Sequence, residues 1–352
     1  MATEVIPAPQ SKTAEPVLDS QQTTCCIVGG GPGGMMMALL LARKGVPVTL
    51  LEAHKDFDRD FRGDTLHPSI LEILDEIGLA EPLHKLRHVK VYGPTLRAAN
   101  TNFAPFDFRR LKTKFPYIML IPQTKFLEFI AGEASKYPEF RLRTTANVES
   151  LIEENDAVRG VRYQSIDGLH EVRAVLTVGA DGRFSKVRHL AGFEMIKTSP
   201  PMDILWFRLP HLPEDPQGDE GRVRGGFANG RMLAVFDRFD YWQVGYVFPK
   251  GTYQQVRAAG LQALRDSIVA IEPSFANARR CPDRLATVFA TLGGIWALSA
   301  LVQTGAAADW RCSTRNVSGG RCWDQLCSSG RNRGFELSRV TIEIRSCGSE
   351  RP

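Results

Sequence analysis

The sequence CCIVGGGPGGMMMALLLARKGVPVTLLE, residues 25–52, predicts a strand, a tight turn, a helix and a second strand, in that order. Residues 25–28 are apolar, and residues 35–44 are good helix formers. Pro32 lies in the first helical turn, where the missing N–H of proline would have had no intrahelical partner. Residues 48–51 are again apolar and predict a second buried strand. The stretch therefore predicts a βαβ unit.

The turn of this unit has the glycine spacing of a dinucleotide-binding site. Gly29 permits a tight turn, Gly31 lets the backbone approach a pyrophosphate, and Gly34 allows the helix to pack closely on the strand. Gly33 lies in the same loop, and the helix start carries about half a positive charge, which favours phosphate. Glu52 ends the second strand, where a carboxylate accepts hydrogen bonds from a ribose hydroxyl. The alternative is a structural turn in a buried α/β layer.

The composition is that of an ordinary globular protein. At 352 residues, with 43% hydrophobic and 24% charged residues, the chain is long enough for two domains and a sizeable core. The net charge of +5 is mild and spread out, so we expect no nucleic-acid partner. No apolar run approaches the roughly 20 residues of a membrane span. Residues 1–23 are polar, which predicts a disordered arm rather than a signal peptide.

The cysteines suit a reducing compartment. Cys25 and Cys26 lie in the first predicted strand, where we expect buried thiols. None of the seven cysteines forms a CxxC or Cys/His ligand set, which argues against a metal site. We therefore expect a cytoplasmic protein without a bound metal.

Beyond the βαβ unit, the sequence predicts alternating helices and strands. Ser69 is predicted to cap a helix that stops at Gly78, and a second helix begins at Gln123 and runs through Ser135. Strands are predicted at residues 89–92, 103–108, 117–122, 141–143, 148–153 and 158–164. The last three are predicted to be short and antiparallel, with a hairpin turn after them at Asp167-Gly168.

A second informative stretch, AVLTVGADGRFSKVR, covers residues 174–188. Residues 175–178 predict a buried strand, Asp181 and Gly182 a turn, and Ser185 the N-cap of a helix. A carboxylate at a strand end, beside a basic first helical turn, suits the rim of a nucleotide cleft. A purely structural strand–turn–helix is the alternative.

The strands that follow predict a second domain. They are expected at residues 204–209, 223–227, 232–236 and 241–248, before an amphipathic helix at residues 252–271. Asn229-Gly230 is a strong hairpin signal. Because this block is antiparallel, unlike the βαβ start, it indicates a separate sheet-based domain.

Three stretches carry a family resemblance: the glycine turn with Glu52, RGDTLHP (residues 62–68) with IPQTKFLEF (residues 121–129), and GADGRFSKVR (residues 179–188). Together they resemble the FAD-dependent aromatic hydroxylases, the single-component FAD monooxygenases typified by para-hydroxybenzoate hydroxylase and the ubiquinone-pathway hydroxylases. The resemblance covers about residues 24–285. It implies an α/β fold, with an FAD-binding Rossmann-like βαβ domain and an inserted antiparallel-sheet substrate domain.

The resemblance also implies domain boundaries and site residues. The FAD-binding domain would comprise residues 24–88 and 112–195, and the substrate domain residues 89–111 and 196–290. The ADP half of FAD would be held by Gly29, Gly31, Gly34 and Glu52, and Gly33 of the same loop is a further implied cofactor-binding residue. The other implied cofactor-binding residues are Arg62, Gln123, Gly182 and Arg188, together with Asp181, which would lie near the pyrophosphate and the NAD(P)H approach. A surface role for Arg62, a helix-start role for Gln123 and a capping role for Asp181 are the alternatives.

The activity that the resemblance implies is hydroxylation of an aromatic or quinone-like small molecule with NAD(P)H and O2. The flavin would do the chemistry while the protein positions the reactants and excludes water. The seven histidines show no triad-like arrangement, so no catalytic residue is assigned, and the sequence indicates no particular oligomeric state. The alternatives are another FAD oxidoreductase of this fold, such as a halogenase, or a non-catalytic remnant. Halogenases carry a Trp-x-Trp-x-Ile motif, which this sequence lacks.

The sequence departs from the family over residues 291–352. Family members carry Gly-Asp-Ala-x-His, followed by Gly-x-Gly-x-Asn, downstream of the Asp-Gly motif, and this chain has no such string. One interpretation is a disordered or novel tail. Our preferred interpretation is that the family's C-terminal segment is translated out of frame here.

The shifted frame can be written out with suitable synonymous codons. Read from the second base, residues 310–316 spell Gly-Asp-Ala-Pro-His-Ala-Met, and residues 317–325 continue as Ser-Pro-Val-Gly-Gly-Val-Gly-Ile-Asn. Residues 304–309 give Pro-Gly-Leu-Leu-Leu-Ile, a buried strand, in the same frame. A slip between about residues 285 and 298 would remove the flavin-side half of the site. We therefore expect weak or absent retention of FAD.

Overall fold

The structure, a computed structural model, describes residues 16–58, 65–98, 101–198, 201–212, 223–238, 241–276, 289–291 and 295–298. The helices in these residues are α1 (Pro32–Arg43), α2 (Pro68–Glu76), α3 (Ala80–His84), α4 (Gln123–Ala134), α5 (Lys186–Leu190) and α6 (Tyr253–Ile271). The strands are β1 (Val17–Val28), β2 (Val48–Leu51), β3 (Thr65–Leu66), β4 (Val89–Val91), β5 (Pro94–Ala98), β6 (Thr101–Phe103), β7 (Ile118–Leu120), β8 (Phe140–Arg143), β9 (Asn147–Glu154), β10 (Ala157–Gln164), β11 (Leu169–Gly179), β12 (Met195–Thr198), β13 (Met202–Pro210), β14 (Val223–Ala228), β15 (Arg231–Asp237), β16 (Tyr241–Pro249), β17 (Phe289–Thr291) and β18 (Ile295–Leu298).

The first large sheet has the strand order β8-β2-β1-β11-β10-β9. β1 pairs in parallel with both β2 and β11, and β2 pairs in parallel with β8. The outer strands β10 and β9 run antiparallel. Because α1 joins β1 to its parallel neighbour β2, the predicted βαβ unit is confirmed.

Hydrophobic clusters pack on both faces of this sheet at β1. Cys25 and Ile27 belong to one hydrophobic cluster, into which α1 and α4 also pack, and Cys26 and Val28 belong to a second cluster. This alternation follows from the period of two in a strand. Both thiols are buried as predicted, and burial raises the pKa of Cys25 to about 11 and that of Cys26 to about 12.

The second large sheet has the order β17-β13-β16-β15-β14-β5-β6. Its pairs are antiparallel except for β14 with β5, and α6 packs on it through Leu264, Ile268 and Ile271. Asn229 and Gly230 both have positive φ between β14 and β15, which confirms the predicted hairpin. β4 lies instead in a three-stranded sheet, β3-β7-β4.

β1 begins earlier than the sequence predicts. Residues 17–23 belong to this strand and not to a disordered arm, since they pair in parallel with β11. The hydroxyl Oγ of Ser20 donates a hydrogen bond to Oε1 of Glu171, in β11, at 3.1 Å. The side chains of this half of β1 are mostly polar, so they show no alternation of hydrophobic residues. The sequence therefore showed no sign of a strand here.

Three further predictions were wrong in detail. β8 is parallel to β2 rather than antiparallel, because the chain returns through α4 before it enters the sheet. α2 begins at Pro68 with His67 at its N-cap, so Ser69 is not the cap. Proline, with φ already near the helical value, favours that first position. The strand predicted at residues 103–108 ends at Phe103.

The loop after β6 replaces that predicted strand. The carboxylate of Asp107 accepts a hydrogen bond from the backbone N–H of Arg109 at 2.9 Å and begins a short 3-10 turn, Phe108–Arg110. Local capping of this kind competes with strand pairing. At the other end of the chain, residues 299–352, with most of the shifted-frame interpretation, lie outside the described residues.

Candidate functional site

The candidate site lies where three parallel strands of the first sheet end. The backbone N–H of Gly29 donates to Leu51 O at 2.7 Å, and the N–H of Ala180 donates to Val28 O at 2.7 Å. These two hydrogen bonds tie the ends of β2, β1 and β11 together. The loops that carry the predicted site residues therefore emerge from one edge, as the carboxyl ends of parallel strands do in dinucleotide-binding folds.

Two of the predicted glycines are required by the protein itself. Gly29 has φ +110°, and a Cβ there would lie 2.4 Å from Ala180 O. A Cβ on Gly34 would lie 2.0 Å from Gly29 O. Neither contact leaves room for a side chain, so the tight turn and the close helix–strand approach expected from the sequence are both confirmed.

Gly31 is a different case. It has extended backbone angles, φ −69° and ψ 176°, that any residue adopts, and it is the N-cap of α1. Among the described residues, its chain neighbours aside, no atom lies within 4 Å of a Cβ built at Gly31. The protein leaves this position open, which fits the close approach of a pyrophosphate.

The start of α1 faces this space without a side-chain cap among the described residues. The first turn, which includes Pro32 and the half-buried Gly33, contains no acidic residue. The N–H groups of a first turn have no intrahelical acceptor, and the helix dipole makes this end positive. The arrangement provides donors and positive potential for an anion.

Glu52 is the acidic group of the site. It follows β2, is only 2% exposed, and its Oε2 accepts a hydrogen bond from Gly30 N–H at 2.8 Å. Its Oε1 accepts from the backbone N–H and from the ring Nδ1 of His54, at 2.9 Å and 2.8 Å. The sequence predicted Glu52, but it did not single out Gly30 or His54, whose roles depend on this three-dimensional contact.

Asp181 lies beside the glycine turn, since a Cβ on Gly29 would come 2.6 Å from the backbone nitrogen of Asp181. Its carboxylate accepts hydrogen bonds from Ser185 Oγ at 2.5 Å, from Lys186 N–H at 2.7 Å and from Val187 N–H at 3.1 Å. These are capping contacts at the start of α5. The capping alternative therefore describes what the side chain does in this structure.

The neighbours of Asp181 complete the turn. Gly182 is exposed and has φ +83°, a backbone conformation that favours glycine. The Oγ of Ser185 accepts from Arg188 N–H at 3.0 Å, which confirms the predicted N-cap. The guanidinium of Arg188 donates to Arg183 O at 3.2 Å and holds the same loop.

The remaining predicted residues are Gln123 and Arg62. Gln123 is the first residue of α4 and is half-buried. Next to it, Thr124 Oγ1 donates to Phe57 O at 3.4 Å, and the Phe57 ring lies 3.3 Å from the Cβ position of Gly30. The start of α4 is thus linked to the glycine turn. Arg62 lies outside the described residues.

These groups fit the ADP half of a dinucleotide. The open backbone at Gly31 and the uncapped start of α1 suit a pyrophosphate, and the carboxylate of Glu52 suits a ribose. In the part of the chain that the structure describes, no group of three or more His, Cys, Asp or Glu residues is arranged to hold a metal ion. No helix in the same part is long and apolar enough to cross a membrane.

A second feature is an apolar cavity of about 180 Å³ between the three-stranded sheet and the second large sheet. It is lined by Thr65, Val91, Gly93, Pro94, Phe106, Phe108, Ile118, Leu120, Val223 and Phe236. Three of these side chains are phenylalanines, and the cavity surface is apolar. The cavity suits a small hydrophobic group or an aromatic ring.

Comparison with known proteins gives a consistent result. A sequence profile described as "FAD binding domain" matches residues 22–262. The chain is 32% identical over 242 residues to 6-methylpretetramide 4-monooxygenase of Streptomyces rimosus, a match that covers 68% of this chain and 56% of the relative. The chain thus spans little more than half the length of that relative.

Solved structures share the fold. p-Nitrophenol 4-monooxygenase PnpA of Pseudomonas putida superposes with a TM-score of 0.62 at 21% identity, covering 80% of this chain and 69% of PnpA. The myxobacterial chondrochloren halogenase CndH superposes with a TM-score of 0.69 at 18% identity, covering 81% of this chain and 67% of CndH. At these identities the likeness concerns the fold alone.

Proposed function

Because the chain belongs to the family of FAD-binding domains, we propose that it is an FAD-dependent monooxygenase. It hydroxylates an aromatic or quinone-like small molecule with NAD(P)H as reductant and O2 as oxygen source. The observation that carries the proposal is the open, uncapped start of α1 beside the buried carboxylate of Glu52. The name of the S. rimosus relative, a monooxygenase, supports the same reaction class.

The chain's own residues have separate tasks in this proposal. The N–H groups of the first turn of α1 bind the pyrophosphate, and the space at Gly31 admits it. Glu52 accepts a ribose hydroxyl, while Asp181 and Ser185 hold the neighbouring loop in place. Bound FAD supplies the redox chemistry, and the protein contributes orientation and exclusion of water.

We propose the apolar cavity as part of the substrate site. Phe106, Phe108 and Phe236 contribute aromatic rings that stack with an aromatic substrate, in either an offset or an edge-to-face arrangement. The absence of charged side chains among the described lining residues favours a neutral group over a carboxylate at this point. The cavity also keeps water from the reacting ring.

We also propose that residues 291–352 are the family's C-terminal segment in a shifted frame. The far side of β11 supports this. Among the described residues, β10 pairs only with residues 169–173 of β11, and residues 174–179 pair with β1 alone. Val175 is 69% exposed and Leu176 is 47% exposed, although the sequence predicted a buried strand here. Strands in the parallel part of an α/β sheet are normally covered on both faces.

The exposed edge is where a further apolar strand would pair. With suitable synonymous codons, the shifted frame of residues 304–309 can encode Pro-Gly-Leu-Leu-Leu-Ile, which has the composition of such a strand. A long apolar edge without a partner also promotes association between chains. We therefore expect the chain as given to retain FAD weakly, and the frame-restored chain to retain it.

Three measurements test these proposals. Reading the coding DNA decides the frame, since the proposal requires Gly-Asp-Ala-x-His in the shifted frame. The chain as given and the frame-restored chain are then purified, and the flavin absorbance per polypeptide is compared. Oxidation of NADH or NADPH by the flavin-bearing form, with and without candidate phenols, measures the monooxygenase. A frame-restored chain that binds no flavin would contradict the proposed FAD-dependent function. A chain as given that carries one flavin per polypeptide would contradict the proposed loss of the flavin-side site.

A further inference from the structure

The apolar cavity between the three-stranded sheet and the second large sheet has room for one aromatic ring. Its volume is about 180 Å³, and its surface is apolar. An apolar cavity of about 150 Å³ in a protein core is large enough to bind benzene. A second, fused ring needs a substantially larger space. Such a group would therefore fit only if one wall of the cavity moved.

The inner wall of the cavity belongs to the second large sheet and is held from behind. Phe236 of β15 lines the cavity and packs on Trp206 of β13, with ring centroids 6.1 Å apart. The Trp206 ring lies on the backbone of β16, since a Cβ on Gly245 would come within 2.9 Å of it. The three strands are joined by antiparallel ladders. Because interiors of this kind are closely packed, this wall does not yield to a larger group.

The outer wall is a loop, residues 104–111. Phe106 lines the cavity and is also 52% exposed, so its ring separates the cavity from solvent. It contacts the ring of Phe108 edge to face, with centroids 5.3 Å apart and an interplanar angle of 81°. The loop is attached to the chain after β4, where Phe108 N–H donates to Tyr92 O at 2.6 Å. The loop, and not the sheet, is therefore the wall whose position sets the size of the cavity.

Gly93 sets the distance between this loop and the three-stranded sheet. A Cβ on Gly93 would lie 2.5 Å from Phe106 O and 3.6 Å from Asp107 Cα, so it would point into the loop backbone. The φ of Gly93 is not positive, so glycine is required here by space and not by backbone conformation. A side chain at residue 93 would displace the loop outward, and the Phe106 ring with it.

We infer that the cavity admits a single six-membered aromatic ring, and that Phe106 and Gly93 are the residues that determine this limit. The inference rests on the proposed function, because it assigns the size of the substrate group at the proposed substrate site. Phe106 acts directly as the outer wall, whereas Gly93 acts through the loop that carries Phe106. Any further part of the substrate lies outside the cavity.

The test uses the full chain as given with toluene and naphthalene as probes, because neither probe needs bound flavin. Toluene binding is measured by calorimetry and naphthalene binding by fluorescence. By apolar area alone, naphthalene would bind more tightly than toluene. We expect naphthalene to bind the wild type at least tenfold more weakly, since a second ring does not fit. Nuclear Overhauser effects between the toluene methyl group and Ile118 should place the probe in the cavity.

Three variants change the outer wall. In Phe106→Ala, the ratio of naphthalene affinity to toluene affinity should rise at least tenfold, because the wall is removed. Gly93→Ala should raise the same ratio threefold or more through the displaced loop. Phe106→Leu keeps an apolar wall, so its ratio should stay within about threefold of the wild type. If Gly93→Ala fails to fold, as judged by circular dichroism, Phe106→Ala still decides the inference, since it truncates a half-exposed side chain.

Matched controls are available for both residues. Phe103, at the end of β6, is 42% exposed and is not among the described lining residues of the cavity, so Phe103→Ala should leave the affinity ratio unchanged. Gly132 lies in α4, where no described atom lies within 4 Å of a Cβ, the chain neighbours and the helix backbone aside. Gly132→Ala should likewise leave the ratio unchanged.

The outcomes separate this inference from the proposed function. A wild type that binds naphthalene as tightly as toluene, a Phe106→Ala variant with an unchanged ratio, or toluene bound away from Ile118 overturns the size limit. None of these results bears on FAD binding, which the flavin absorbance of the frame-restored chain measures separately. A frame-restored chain without flavin overturns the proposed reaction, while probe affinities that follow the expected order still support the single-ring cavity.

Discussion

Two helices begin at the same edge of the first sheet, and their starts differ. α1 follows β1 through the glycine turn, and its N-cap, Gly31, offers no side chain. α5 follows β11 through the Asp-Gly turn, and the side chains of Asp181 and Ser185 accept hydrogen bonds from its first N–H groups. One helix start is open to a ligand, and the other is already satisfied by the protein.

The comparison explains why the proposed phosphate site lies at the start of α1 and not at the start of α5. The first N–H groups of any helix have no acceptor within the helix, and both of these helix starts lie beside strand ends. Carboxylate and hydroxyl acceptors consume the donors of α5, so that helix fixes a loop rather than binding an anion. The glycines before α1 contribute no side-chain acceptor, and no side chain among the described residues caps the first N–H groups of α1. The lack of side-chain acceptors at the glycines before α1 therefore distinguishes this helix start from that of α5.

The largest expected effect comes from closing the turn before α1. In Gly34→Ala, the new Cβ would lie 2.0 Å from Gly29 O, and the backbone of the turn has to move. We expect the free energy of unfolding to fall by about 3 kcal/mol or more, which is a large part of a typical domain's stability. Chemical denaturation followed by circular dichroism measures the loss. A variant as stable as the wild type would mean that helix and strand are not in contact here.

The next effect separates binding from folding. Gly31→Ala adds a Cβ where the described residues, chain neighbours aside, come no closer than 4 Å, and its backbone angles are accessible to alanine. We expect stability to change by less than about 1 kcal/mol. ADP affinity should fall about tenfold or more, because the methyl group blocks the approach of the pyrophosphate. Equal ADP affinity in the variant and the wild type would place the phosphates elsewhere.

The residues that sequence analysis predicted correctly have local causes. Gly29 and Gly34 follow from the steric demands of one turn, and Ser185 follows from the capping preference of one helix start. The βαβ unit could be predicted because its strands are apolar runs and its helix consists of residues with high helix propensity. Each of these features is encoded within a few residues, which is the range over which pattern reasoning works.

The features that sequence analysis missed depend on distant partners. Gly30 and His54 matter because both contact the carboxylate of Glu52. The polar half of β1 was predicted as a disordered arm, since its pairing with β11 is about 150 residues away in sequence. The exposure of Val175 and Leu176 contradicts an apolar pattern that predicted burial. These features depend on contacts between residues that are far apart in the sequence, and a local sequence pattern carries no information about such contacts.

The smallest expected effect concerns the closed helix start. In Asp181→Ala, the N–H groups of Lys186 and Val187 lose their acceptor, and the free energy of unfolding should fall by about 1 kcal/mol. Asp181→Asn keeps a side-chain oxygen that caps the helix, so it should recover most of that loss. ADP affinity should change less than about twofold in both variants, because these donors serve the protein and not the ligand.

The same pair of variants sharpens the comparison between the two helix starts. If Asp181 faced the nucleotide, removal of its negative charge near the pyrophosphate would strengthen ADP binding, and Asp181→Asn would do so as much as Asp181→Ala. If it only caps α5, the two variants differ in stability and agree in affinity. Thermal melts and ADP titrations of the two proteins, at one ionic strength, distinguish these patterns because a capping loss appears in the first measurement and a charge effect in the second.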